Sequence, residues 1–350
     1  MVIVFFGTPQ FAVPTLHRLL DSTHTVAGVV TQPDRPRGRG QRVTDAPVKA
    51  LAVERHIPVM QPERLKPPEV AEAIRAWQPD LGVVAAYGRI IPEHLLAVPR
   101  LGMINVHASL LPRYRGAAPV HRAVIDGDNE TGVTIMRVVK ELDAGDTFAR
   151  ATRPIGPDET SDVVEAALAE LGANLLVQVV EQIAAGTAGE EPQDPARATY
   201  APRLTKEEGL IDWSQPSAAI HNRVRGLYPW PHAYTFLDGA RLIVLRSSVD
   251  PADLEGPRRV SEGPRRVSEG PRRVSEGPRS VLEGPHRSED KPPAPPGTVV
   301  DVTRDAIHVA TGEGGQLAIV EVQPEGRRPM RVRDFLAGHP IRPGAVLSGS

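Results

Sequence analysis

Cysteine is absent from this 350-residue chain. Its absence excludes disulfides, thiolate nucleophiles and Cys-ligated zinc or iron–sulfur centres, and it fits a reducing, cytoplasmic setting. Also missing is an excess of charge of one sign. Lys and Arg number 41 against 43 Asp and Glu, a formal net charge of −2, so any nucleic-acid binding has to come from local patches. No apolar run approaches the length needed to span a membrane, and no membrane partner is expected. The apolar start, Met1 to Phe6, has no basic lead and is broken by Gly7 and Pro9, so it reads as a first strand rather than a signal segment. The His residues form no H-x-x-H or H-E-x-x-H pattern, and no metal is expected. Nor is there a G-x-G-x-x-G. Gly7-Thr8-Pro9 stands where that fingerprint belongs, with one glycine, which disfavours a bound dinucleotide. A helix N-terminus at that point can still hold an anion or a substrate edge.

What is present suffices for a real core, with 40% hydrophobic residues in a chain of about two domains' length. The first part alternates in the βα manner. Strands are predicted at Val2–Phe6, Thr25–Val30, Leu81–Ala86, Gly102–Val106 and Thr131–Val139. Helices are predicted at Gln10–Leu20, Ala46–His56 (with Asp45 as N-cap), Pro68–Trp77, Ala117–Ile125 and from Thr160 to about Ala185. Strands that are nearly all apolar and alternate with helices imply an α/β domain, its parallel sheet covered on both faces. Residues 186 to about 205, rich in Gly, Pro and Glu, read as a linker. From Lys206 onward short β-type runs appear (Ala233–Leu237, Ala240–Ser247, Gly297–Val302, Ala306–Ala310, Gln316–Val322) with one helix, Ser217–Gly226. That pattern predicts a small β-barrel or sandwich.

The stretch INVHASLLPRYRG, residues 104–116, carries the most chemistry. Asn105 and His107 are two apart, so both point the same way off a strand end. An amide and an imidazole side by side there make a pair of donors for a developing oxyanion. A lone Asn or His at a strand end is more often a satisfied structural group; here Ser109, Pro112 and Gly116 supply turn chemistry, and Arg113, Tyr114 and Arg115 add cations and an aromatic. The loop that follows could close over a flat cofactor. Downstream, ELDAGD (141–146) sets carboxylates in a Gly turn just after a β-type run. An Asp from that turn, brought beside His107, would orient its ring and stabilise its positive charge.

Two other segments stand out. TQPDRPRGRGQRVTDAPVK, residues 31–49, holds Arg35, Arg37, Arg39, Arg42 and Lys49 against Asp34 and Asp45. Pro and Gly keep it out of regular structure, and an Arg-rich long loop suits phosphate backbones. A second cluster, Arg327, Arg328, Arg331 and Arg333, reads first as a solvated face. Trp213, Trp230 and Tyr228 read as core or inter-domain packing. Within the second part, three identical EGPRRVS heptads (255–275) precede two degenerate copies ending at Glu289. Gly-Pro in each copy forbids a helix and at most one Val per copy cannot build a core, so a disordered, mildly cationic insertion at about 251–296 is expected. An accessory RNA-binding arm is the alternative.

FGTPQFAVPTL, TQPDRPRGRG, AAYGRIIP (85–92), INVHASLLPRYRGAAP, TGVTIM and LDAGD, together with KEEGLIDW (206–213) and YPWPHAY (228–234), resemble the methionyl-tRNA formyltransferases, a folate-dependent formyltransferase family. The resemblance spans nearly the whole chain outside about 250–296. It implies a doubly wound formyltransferase domain (1–189), a linker (190–205) and an OB-like β-barrel that binds tRNA (206–350). It implies 10-formyltetrahydrofolate as formyl donor and initiator methionyl-tRNA as acceptor, in a cytoplasmic monomer without a metal. By the same resemblance Asn105, His107 and Asp143 are the catalytic trio. Ser109, Leu110, Leu111 and Pro112 line the folate loop, and Arg35, Arg37, Arg39 and Arg42 face the tRNA acceptor end. Two rivals stay open: a folate formyltransferase for a small amine, such as glycinamide ribonucleotide or an amino-sugar nucleotide, and an inactive RNA-binding protein.

Overall fold

The computed structural model describes residues 1–34, 36–37, 42–250 and 294–349, with backbone alone at 36, 37, 42 and 43. Arg35, Arg39 and the heptad repeats lie outside the described residues.

The first strand shows how the sequence builds the first domain. In β1 (Val2–Gly7) successive side chains leave opposite faces, and both faces are apolar. Ile3 and Phe5 enter one core, while Val4 and Phe6 enter another; all four are fully buried, each stabilising by about 2 kcal/mol. A strand buried on both faces belongs in the middle of a parallel sheet. The other strands that build or border this domain are β2 (Thr25–Val30), β3 (Pro36–Arg37), β4 (Arg42–Val43), β5 (Val59–Met60), β6 (Leu81–Ala85), β7 (Met103–His107), β8 (Arg115–Gly116), β9 (Glu130–Arg137), β10 (Thr147–Pro154) and β11 (Tyr200–Ala201). The main sheet runs β10-β9-β7-β6-β1-β2-β5. It is parallel from β5 to β7 and antiparallel at β7–β9 and β9–β10. Helices α1 (Val13–Leu20), α2 (Pro47–Glu54), α5 (Pro119–Ile125) and α6 (Ser161–Ala185) cover one face, and α3 (Pro68–Ala76) and α4 (Glu93–Leu96) the other.

Several expectations need correcting. Gln10–Leu20 is a 3-10 turn, Gln10–Ala12, followed by α1. The cap of α2 is Ala46, without a side-chain bond; Pro47 at the first helical position has no N–H to cap, and Asp45 instead pairs with Lys49 Nζ at 2.8 Å. Strand β10 escaped notice because it mixes Arg and Thr with small residues at a sheet edge, and of its eight residues only Thr147 is buried. The statement about membrane length also fails for α6, a 25-residue helix with an 18-residue stretch of mean hydropathy 1.6, which passes by length and composition. In this fold α6 buries Val164, Leu168, Leu176, Val179 and Val180 in the first core.

The second domain opens after β11 with α7 (Ser217–Gly226), then β12 (Ala233–Leu237), β13 (Ala240–Ser248), β14 (Val299–Val302), β15 (Ile307–Ala310), β16 (Gln316–Pro324), β17 (Met330–Arg331) and β18 (Leu347–Ser348). Its antiparallel sheet runs β14-β15-β16-β13-β12-β18, with β17 on β16. The sheet curls until its ends meet. Thr298 bridges Val346, and Leu347 N–H donates to Gly297 O at 2.8 Å. Trp213 lies inside this core, its Nε1 donating to Thr235 Oγ1 at 3.1 Å. Trp230 does not pack as expected: it is 50% exposed. The four Arg of the 327–333 cluster are exposed.

The domains meet where α5 packs on α7. The C-terminal carbonyl of α7, Gly226 O, accepts from Ser161 Oγ and His121 Nδ1, both at 2.7 Å. A Cβ at Gly226 would meet Ile125 Cγ1 at 2.4 Å, so only glycine lets the helices approach this closely.

Candidate active site

Strand β7 positions the first two groups. Ile104 and Val106 point into the core under α1 and α6, so Asn105 and His107 share the opposite face with Met103. Pairing sets Asn105 opposite Val84 and Met136, and His107 opposite Thr134. Asn105 is half-buried, and its amide has no hydrogen-bond partner among the described residues. His107 is only 5% exposed. Its Nε2 lies 3.0 Å from Tyr114 O. A carbonyl only accepts, so Nε2 carries a hydrogen and is occupied. The other ring nitrogen, Nδ1, lies 3.7 Å from Asp143 Oδ2. That gap exceeds a hydrogen bond.

Asp143 arrives from the turn between β9 and β10. It holds a left-handed conformation, φ 48°, at a cost of about 1 kcal/mol or more for a non-glycine residue. Gly116 N–H donates to its Oδ2 at 2.8 Å. Gly145 in the same turn has no alternative, since a Cβ there would stand 2.0 Å from Arg137 O.

The loop after β7 folds over the face that bears His107. Thr134 Oγ1 donates to Ser109 O at 2.7 Å and accepts from Leu111 N–H at 3.1 Å. Ser109 Oγ donates to Arg113 O at 2.6 Å. Ser109 and Leu111 are buried, while Leu110 and Pro112 keep part of their surface. Of the four residues, then, Leu110, Pro112 and the backbone are open to a flat ligand. Gly132 on β9 makes room for this loop, since a Cβ there would meet Leu110 Cδ2 at 2.5 Å. Tyr114, at φ 61°, anchors its hydroxyl on Asp126 and Asp128 at 2.9 and 2.8 Å. Burial, then the Asp128 carboxylate, pushes its phenol well above the ordinary range.

The segment 190–205, expected as a linker, is bound along the site. β11 pairs in parallel with β8, and Tyr114 N–H donates to Thr199 Oγ1 at 2.9 Å. Gln193, 9% exposed, reaches both halves of the site. Its Nε2 donates to Asp143 O and Gly145 O at 2.8 and 2.7 Å, and its Oε1 accepts from Arg115 Nε and Nη2 at 3.1 and 2.8 Å. Sequence reasoning missed Thr134 and Gln193, and it named Arg115 only as a cation beside the pair, without its partner. Their partners are 23 to 78 residues away, and no local spacing marks such pairs.

The root of the basic loop is also held. Lys49 pairs with Asp34, and that bond holds the Asp34 carboxyl below its ordinary range. Arg37 and Arg42 face each other across the β3–β4 ladder. Beside the root is a cavity of about 300 Å³ lined by Thr8, Gln32, Asp34, Ala86 and Gly88 among others. It sits where β1, β2 and β6 end, the usual place for a ligand in an open α/β sheet.

Comparison with known proteins decides what this arrangement belongs to. The formyl transferase family model matches residues 1–180, and the model of the formyl transferase C-terminal domain matches 203–340. The methionyl-tRNA formyltransferase of Geotalea uraniireducens (strain Rf4) is 44% identical over 347 residues, 99% of this chain and 98% of that protein. The chain belongs to the methionyl-tRNA formyltransferase family. It is therefore a formyl-transferring enzyme, and the family takes its formyl group from a folate-derived donor. Solved structures agree in fold. An N-formyltransferase from Helicobacter canadensis, in complex with folinic acid and dTDP-3-aminofucose, superposes with a TM-score of 0.60 at 15% identity, covering 93% of this chain and 100% of that one. The methionyl-tRNA formyltransferase from Clostridium thermocellum gives 0.50 at 15% identity over 71% of this chain and 94% of its own.

Proposed function

We propose that this enzyme moves the formyl group of 10-formyltetrahydrofolate to the α-amino group of methionine esterified to initiator tRNA, giving N-formylmethionyl-tRNA for translation initiation. The observation that carries the reading is likeness to methionyl-tRNA formyltransferases along 99% of the chain, both domains included. Such a reaction belongs in the cytoplasm, and one chain with both domains suffices for it.

The chemistry follows from the three polar side chains. A neutral amine attacks the formyl carbon, and the carbonyl π electrons move onto oxygen. Asn105, with its amide free, donates to that oxyanion, and His107 donates from Nδ1. Because Nε2 already carries a hydrogen, donation from Nδ1 requires the doubly protonated ring. The Asp143 carboxylate 3.7 Å away is the counter-charge for that form. The same carboxylate takes the proton that the attacking nitrogen must lose, directly or through one water. Collapse of the adduct re-forms the carbonyl, breaks the bond to N10 of the folate and returns a proton to that nitrogen. No step needs a covalent enzyme intermediate or a metal. The folate lies against Leu110, Pro112 and the backbone of Ser109 to Pro112. The loop bearing Arg35, Arg37, Arg39 and Arg42 meets the phosphates of the acceptor end.

The test is Asn105→Ala. The residue sits on a strand by backbone pairing and its amide has no partner among the described residues, so the fold should survive. Loss of one oxyanion donor lowers kcat by about 100-fold or more. A near-normal kcat in a folded variant would remove Asn105 from the site.

A further inference from the structure

We infer that Gln193, supplied by the segment between the two domains, is a positioning residue for the formyl transfer: it fixes the turn that aims Asp143, and Arg115 fixes Gln193. The inference rests on Asp143 acting in the transfer as set out above.

The groups form a closed ring. Gly116 N–H holds the Asp143 carboxylate from one side at 2.8 Å. The residue before it, Arg115, is 7% exposed and sends two N–H groups to Gln193 Oε1. The amide nitrogen of Gln193 then returns to Asp143 O and Gly145 O. Chemistry leaves no ambiguity in the amide orientation. A guanidinium only donates and a carbonyl only accepts, so the oxygen must face Arg115 and the nitrogen must face the turn. All four hydrogen-bonding positions of the amide are used inside the protein. Arg115 has no carboxylate partner among the described residues, so this pairing does not neutralise it. Its service is to hold one amide in one orientation.

The turn needs such a hold. Asp143 has a left-handed backbone, and its neighbour Leu142 is 57% exposed, so the flanking side chain gives little packing. The two amide bonds clamp the 143–144 and 145–146 peptides and fix where the Asp143 Cα sits. Strand β10 and the 190–205 segment are joined just before Gln193, where Thr147 and Glu191 exchange backbone bonds at 2.8 and 2.9 Å. The clamp is thereby tied to the main sheet. Small displacements of a reacting group cost large factors in rate.

The test compares Gln193→Glu and Gln193→Ala in the full chain, each alone and combined with Asp143→Ala. Glutamate keeps the size and the acceptor for Arg115 but turns a carboxylate toward two carbonyls. Both single variants should lose kcat by about 10-fold or more, with KM for the folate donor and for methionyl-tRNA within about twofold. In the Asp143→Ala background neither should lower kcat further, because a group acting through Asp143 has nothing left to position. A normal kcat in Gln193→Glu beside a crippled Asp143→Ala overturns the inference alone. So does a full additional loss on top of Asp143→Ala. A near-normal Asp143→Ala overturns the reading of the site and this inference with it.

Discussion

Of the two ring nitrogens of His107, one is taken by Tyr114 O and one faces Asp143. At this scale the sequence was legible wherever period 2 applies: the alternation along β7 puts Asn105 and His107 on one face, and the Gly turn at 141–146 brings a carboxylate to them. It was not legible where a residue works on a distant backbone. Thr134 is such a case, a β-strand threonine by pattern whose hydroxyl bonds Ser109 O and Leu111 N–H. Thr134→Val keeps the shape and deletes both bonds, leaving a buried donor and acceptor unpaired at a cost of about 1–3 kcal/mol each. The loop should loosen, and KM for the folate donor should rise several-fold while KM for methionyl-tRNA stays put. An unchanged KM for the folate donor would separate this loop from folate binding.

Among elements, β1, β2, β12 and α7 follow from pattern because their side chains report burial directly. The 190–205 segment does not. Its contribution is made by a two-residue strand and by single side chains such as Gln193 and Thr199, so its polar composition resembles that of any linker. Helix α7 carries a further consequence. His221 is 2% exposed; its Nε2 donates to Pro157 O at 3.0 Å and its Nδ1 is 3.0 Å from Ser247 Oγ. Arg225 on the same helix reaches Gly156 O and Glu159 O. Burial pulls His221 below its ordinary 6.5. The native state therefore binds its proton less readily than the unfolded chain does. The stability this contributes is complete above about pH 6.5 and is lost as pH falls toward the native value. Thermal melts from pH 7.5 to 5 should show a falling Tm, and His221→Gln should flatten that fall. An identical slope in wild type and variant would contradict the role given to His221.

Taken as a whole, the molecule is an open α/β sheet joined to a curled antiparallel one through α5, α7 and the loop before α6. The two-domain α/β-plus-β plan was readable from alternating helices and strands followed by short β runs. Closure of the second sheet at Thr298 and Val346 was not, since it depends on residues 48 positions apart in chain that form one isolated bridge. A two-domain chain does not by itself choose the acceptor, since the fold is shared with an N-formyltransferase solved with dTDP-3-aminofucose. The tRNA acceptor is assigned from likeness to methionyl-tRNA formyltransferases along 99% of the chain, with the basic loop in keeping with it. The most direct measurement offers the wild-type protein 10-formyltetrahydrofolate with charged initiator methionyl-tRNA, charged elongator methionyl-tRNA, and a panel of free small amines, and follows formyl transfer to each. The account predicts N-formylmethionyl-tRNA from the initiator species, faster than from the elongator, with the small amines untouched. Formylation of a free amine without any formylated tRNA would contradict it.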